Sequence, residues 1–203
     1  MSEKSKPHGI QLLIRTLVKD ANGKVLSDSG QKPSKSFVIQ FLEMLHLLFD
    51  GPYGEHDRTQ VDGSEDEMYE HDRPATYYWQ ANAAVNTSVY GIVVGTGDTA
   101  STNIDYALET QLTEGVGGGQ ITHGQSVVEA PAVVGANVDM EMYRAFTNNT
   151  GSSITVKEAG LYTRHRDMAQ PFYFCNIRDV LGTPVAVPDK CSLTVFYTLR
   201  TTV

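Results

Sequence analysis

Cysteine is scarce in this chain. There are two, Cys175 and Cys191, with no CxxC pair, which excludes a disulfide scaffold and a thiolate zinc site. Cys175 lies inside an apolar run and reads as a small buried hydrophobe; Cys191 follows a turn, and a bridge between the two is the lesser reading. Positive charge is also short. Sixteen Lys and Arg stand against 24 Asp and Glu, a net charge of −8, and an acidic chain is a poor general binder of nucleic acid because phosphate affinity comes from neutralising cations. No apolar run is long enough to span a bilayer, and no apolar h-region follows Met1, so the expectation is a soluble protein without a signal peptide.

Catalytic patterns are missing too. There is no GxSxG elbow, no HExxH, and no cysteine with an obvious histidine partner. Gly95-x-Gly97-x-x-Ala100 follows a β run and formally resembles a dinucleotide fingerprint. No amphipathic helix and no βαβ unit follow it, so it reads as a glycine turn. The expectation is a non-enzymatic protein with no cofactor.

What the chain does have is strands. In residues 192–200, Leu193, Val195, Tyr197 and Leu199 alternate with Thr194, Phe196, Thr198 and Arg200, the period of a half-buried strand. Residues 172–177 and 185–187 read as two more, separated by Gly182-Thr183-Pro184. Val138, Met140, Met142 and Phe146 share one face of another, and Asn148-Asn149-Thr150-Gly151 predicts a hairpin turn into Ile154. Residues 85–94 and 121–132 read as extended. Near the start, residues 10–18 form a β-branched run, and Asn22-Gly23 is a strong hairpin signal before Val25. No helical segments separate the later strands, so antiparallel pairing is expected.

One helix stands out, residues 36–49. Its polar residues are only Gln40, Glu43 and His46, three apart, and Ser34 or Ser36 is placed to cap it. A helix apolar nearly all round should be buried on most sides. The predicted fold is therefore mainly β: one domain with an antiparallel sandwich or barrel-like body and a single hydrophobic helix.

Residues 50–73 carry nine acids and two bases, a net of −7 and nearly all of the chain's charge. With few apolar residues, this region, about 50–76, reads as an exposed acidic loop inserted into the domain. His56 and His71 flank the acids, and a loosely bound Ca2+ is the minor metal reading. Tyr77-Tyr78-Trp79 and the basic run Arg164-His165-Arg166 are the interface candidates, because aromatic residues and arginine are enriched at interfaces.

Three stretches carry a resemblance. Residues 146–162 run from Phe146-Thr147-Asn148-Asn149-Thr150-Gly151 to Lys157-Glu158-Ala159-Gly160-Leu161-Tyr162. The second is Val185-Ala186-Val187-Pro188-Asp189-Lys190-Cys191-Ser192-Leu193-Thr194-Val195, and the third is Ile92-Val93-Val94-Gly95-Thr96-Gly97 with Asp105-Tyr106-Ala107-Leu108. A fainter echo sits at Ser36-Phe37-Val38. Together they resemble structural proteins of tailed bacteriophages and prophages over roughly the C-terminal half. The resemblance implies a virion building block of the tail, neck or fibre-attachment region. It would be made in the host cytoplasm and assemble with itself and with other virion proteins, without direct contact to nucleic acid or membrane. A capsid decoration or head-fibre protein is the alternative within that class. A carbohydrate-binding module, with Tyr77-Tyr78-Trp79 stacking on sugar, is the alternative outside it.

Overall fold

The computed structural model describes residues 9–34, 36–50, 56–68, 77–166 and 171–202. The chain is mainly β and its strands pair antiparallel, apart from one two-residue strand. In order they are β1 (Gly9–Lys19), β2 (Val25–Asp28), β3 (Lys32–Ser34), α1 (Ile39–Asp50), β4 (His56–Thr59), β5 (Glu65–Met68), β6 (Tyr77–Gln80), β7 (Gly91–Gly95), β8 (Thr113–Glu114), β9 (Gln120–Val128), β10 (Ala132–Val134), β11 (Asn137–Thr147), β12 (Ile154–Arg166), β13 (Pro171–Val187) and β14 (Ser192–Thr202).

An eight-stranded sheet runs β2-β1-β14-β11-β9-β8, with β3 beside β1 and β10 beside β11. A four-stranded sheet holds β13, β12, β6 and β7. Their apolar faces meet in a sandwich-like arrangement. The largest core cluster takes Leu12, Phe146, Leu193 and Tyr197 from the first sheet, and Ile92, Ala159, Leu161 and Ile177 from the second. The alternation in β14 has its expected consequence, since Leu193, Val195 and Tyr197 are fully buried. The first hairpin also forms as read: β1 pairs β2, Gly23 takes a left-handed φ, and Asp20 Oδ1 accepts the N–H groups of Asn22 and Lys24.

Several boundaries differ from the sequence reading. The helix starts at Ile39, not 36, because the three residues before it are claimed by a strand edge. Phe37 bridges Ile177, Val38 N–H donates to Asn176 O, and Arg178 N–H donates to Ser36 O. Its faces differ as well. Gln40 and Met44 are buried, while Ile39 and Leu42 are 47% and 65% exposed. Gln40 turns inward because its Nε2 donates to the Thr59 carbonyl.

Gly182-Thr183-Pro184 does not separate two strands. It lies in a bulge of the 17-residue β13, where the register to β12 jumps from Val156↔Val185 to Glu158↔Val180. The turn at 148–151 does not make a hairpin either. It carries the chain from β11 in one sheet to β12 in the other. The strand expected over 85–94 shrinks to β7, since the carbonyls before it bond to a buried arginine described below. The acidic region is not structureless throughout. Residues 56–68 form the β4–β5 hairpin, whose turn docks on the body through Val61 N–H to Tyr173 O.

Candidate functional site

Residues 92–97, 105–108 and 146–162 converge on a buried polar network. It is organised around Glu158 in β12, whose side chain is wholly buried. Oε1 accepts the backbone N–H of Thr110 at 2.7 Å and of Gly97 at 3.1 Å; Oε2 accepts the N–H of Glu109 at 3.0 Å. Arg178 in β13 adds Nε at 3.2 Å from Oε2. Its Nη1 meets Asp105 Oδ2 at 2.6 Å and its Nη2 donates to Thr99 O at 3.0 Å. The loop after β7 is thus tied down by one carboxylate and one guanidinium. A carboxylate buried with a full set of donors and a paired cation avoids the penalty of an uncompensated charge.

This is the meaning of Gly95-x-Gly97. A Cβ at Gly97 would come within 2.6 Å of Glu158 Oε1, and one at Gly95 within 2.5 Å. The glycines let backbone wrap an anion closely, as in a phosphate loop, but the anion is the chain's own carboxylate. Burial disfavours the Asp105 carboxylate, yet hydrogen bonds from Thr102 and Arg178 outweigh it and hold its pKa below the ordinary value. Tyr162 completes the clamp by accepting the Leu108 N–H at 2.6 Å on its hydroxyl, and burial raises its pKa.

A second knot joins residues 146–162 to residues 185–195. Asn148 is fully buried; its N–H donates to Cys191 O, its carbonyl accepts from Lys190 N–H, and Nδ2 donates to Val187 O and Ser152 O at 2.7 Å each. The crossover from β11 to β12 is therefore locked to the turn before β14.

Arg144 in β11 makes the third polar centre. It is fully buried, and its guanidinium donates to five carbonyls: Gly124, Tyr90, Ile92, Ala84 and Thr87. Burial lowers its pKa to about 10, so it remains a cation at neutral pH. Beside it, burial first and Arg144 second lower the pKa of His123. The fourth centre is Asp179 in β13, which accepts from the hydroxyls of Ser34 and Ser36; burial raises its pKa.

None of these residues was among the interface candidates. One signal pointed to Arg144. Residues 142, 144 and 146 of β11 face the core, and Arg144 falls between Met142 and Phe146 on that face. Glu158, Arg178 and Asp105 carried no such mark, because their roles depend on which strands become neighbours.

The interface candidates are placed as follows. Trp79 in edge strand β6 is half-buried and packs on Met44, Phe172 and Phe174, so it serves a satellite core. It holds a left-handed φ of 50°. The side chains of Tyr77, Tyr78 and Arg166 lie outside the described residues. His165 is 3% exposed and Arg164 is half-buried, bonded through Nε and Nη2 to Gln80 Oε1 and stacked over Tyr90 at 4.5 Å. Arg164 therefore helps attach β6 to β12, and the His165 ring is buried.

Both cysteines are buried free thiols, and burial raises the Cys175 pKa, which disfavours the reactive thiolate. Among the described residues no group of three or more His, Cys, Asp or Glu could hold a metal ion. Glu55, Glu70, His71 and Asp72, part of the suggested Ca2+ region, lie outside the described residues. No helix among the described residues is long and apolar enough to cross a membrane. Comparisons with protein-family models, curated proteins and solved structures find no match.

Proposed function

We propose that this chain is a non-enzymatic structural component of a tailed-phage particle, acting in the tail, neck or fibre-attachment region and assembling with itself and neighbouring virion proteins. The observation that carries this reading is the convergence of the phage-like segments. The segment at 146–162 binds 185–195 through Asn148, and binds 92–97 and 105–108 through Glu158 and Tyr162. The resemblance thus falls on the inner skeleton of one scaffold rather than on scattered surface loops. In that skeleton the polar groups are engaged in holding loops to sheets, which suits a part that must present rigid faces to its neighbours.

The test is mass spectrometry of purified particles from an induced host carrying the gene, with immunogold labelling to locate the chain. The expected result is this protein in stoichiometric amounts at one end of the tail or at the neck. Particles that form with full infectivity in a strain deleted for the gene, and that never contain the protein, would refute it.

A further inference from the structure

The two edges of the eight-stranded sheet are complementary. At one edge the β10–β11 hairpin projects an apolar tip. Residues 130–138 contain no charged side chain, and Val133, Val134 and Val138 are 78%, 51% and 41% exposed. Val133 and Val138 sit opposite each other in the β10–β11 register, so they share a face and form one knob. Glu129 precedes the tip.

At the other edge the sandwich stays open. The bulge in β13 sets residues 181–184 against Lys157 alone, and pushes them away from β12. Between that bulge and β1–β3 lies a groove of about 510 Å³ with Ile14, Pro33, Leu181, Pro184 and Val185 on its walls and Lys32 among its lining residues.

We propose that this groove receives the β10–β11 hairpin tip of a second copy of the chain. The proposal rests on the assembly reading above and gives it a contact. Three observations favour this occupant. The groove offers one apolar wall, Ile14, Pro33, Leu181, Pro184 and Val185, beside a polar one that includes Thr16, Ser27 and Asp28, and exposed apolar clusters like the knob mark interaction sites. Two carboxylates line the groove and both are engaged, Asp28 by Arg15 and Asp179 by the Ser34 and Ser36 hydroxyls. That leaves Lys32 in the groove to meet Glu129 beside the knob, and neither of these enters an ion pair among the described residues. Finally, knob and groove lie on opposite edges of one sheet, separated by β11, β14 and β1, so a single chain cannot satisfy both. Such a contact joins unlike patches head to tail, and it closes into a ring or continues as a filament. A hairpin tip in a groove buries less than the roughly 1,200 Å² of a stable standard interface, so each contact is weak and gains strength by repetition.

The test uses Val133→Cys and Thr183→Cys, since both native cysteines are buried. Each variant is first checked for an unchanged melt. The two are then mixed at about 100 μM and treated with a short bis-maleimide, in the concentration range where small interfaces associate. The expected product is a cross-linked dimer between the two variants, and the double variant should give a ladder of multiples. Lys32→Glu should reduce the ladder several-fold, and adding Glu129→Lys in the same chain should restore it. No cross-link in the mixture would overturn the proposal. So would Val133→Cys cross-linking mainly to itself, which would mean symmetric pairing of β10 edges. Failure of the particle reading shows separately: a ladder from a protein absent from purified particles leaves this contact standing and removes its virion setting.

Discussion

Arg144 and Arg178 are both buried cations, and they are held in opposite ways. Arg178 lies between carboxylates, Glu158 at 3.2 Å and Asp105 at 2.6 Å, and anchors the loop after β7. Arg144 pairs with no carboxylate among the described residues. It spends all its donors on backbone carbonyls and anchors the segment before β7 to β9. One region is stabilised by paired charge, the other by fixed dipoles around a single charge. The loop on either side of β7 is thus irregular and firmly held, which is how a sandwich of this size displays long connections without leaving buried backbone groups unpaired.

The comparison can be broken from the Arg144 side first. Arg144→Met should have the largest effect, destabilising the fold by on the order of 4 kcal/mol, because several buried carbonyls lose their donors together. Arg144→Lys should recover only part of this, since an ammonium has three donors where the guanidinium has five. Urea unfolding measures both, and a loss below about 1 kcal/mol for the methionine variant would show those carbonyls finding other partners.

On the Arg178 side, Glu158→Gln should cost about 3 kcal/mol, since it leaves a buried cation with one fewer counter-charge and turns an amide NH₂ toward backbone donors. In a double-mutant cycle with Arg178→Met the two losses should overlap strongly, giving less than their sum.

Acid then sharpens the contrast. The folded pKa of Asp105 is held below its ordinary 3.8, so its contribution is fully present above that value and is lost as pH falls through the folded pKa. The stability difference between the native chain and Asp105→Asn should therefore be constant near neutrality and shrink below pH 3.8. The carbonyls that Arg144 bonds do not titrate, but Arg144 also disfavours protonation of His123, so the cost of Arg144→Met should shrink as acid protonates His123. An Asp105→Asn difference that stays constant as pH falls below 3.8 would show that this carboxylate gains nothing from Arg178.

The smallest effects test the glycine argument. Gly97→Ala should cost about 1–3 kcal/mol by pressing a methyl group on Glu158 and Glu109. Gly182→Ala, with nothing within 4 Å of its added Cβ, should change stability by less than about 0.5 kcal/mol. Thermal melts of the pair check the ranking.

Local physics made much of the fold legible. Alternation marked β14 and β11, Asn22-Gly23 marked the first hairpin, and the lack of helical spacers implied antiparallel sheets. The helix was visible as an apolar run, but its inward face was not, because Gln40 is drawn in by the Thr59 carbonyl, a partner far along the chain. The same limit applies to the polar centres. Glu158, Arg178 and Asp105 look like ordinary strand and loop residues until β12 and β13 pair and the loop after β7 folds over them.

By itself, then, the sequence determined the strand periods, the turns with glycine and asparagine, the acidic region and the absence of a helical scaffold. Each of these follows from forces acting within a few residues. Tertiary structure alone decided that 148–151 is a crossover between sheets, that Gly182-Thr183-Pro184 swells into a bulge, and that Gly95-x-Gly97 wraps a carboxylate. These outcomes depend on which buried donors and acceptors meet across the sandwich. A buried charge takes its partner from whatever the packing brings within about 3 Å, and no local pattern records that.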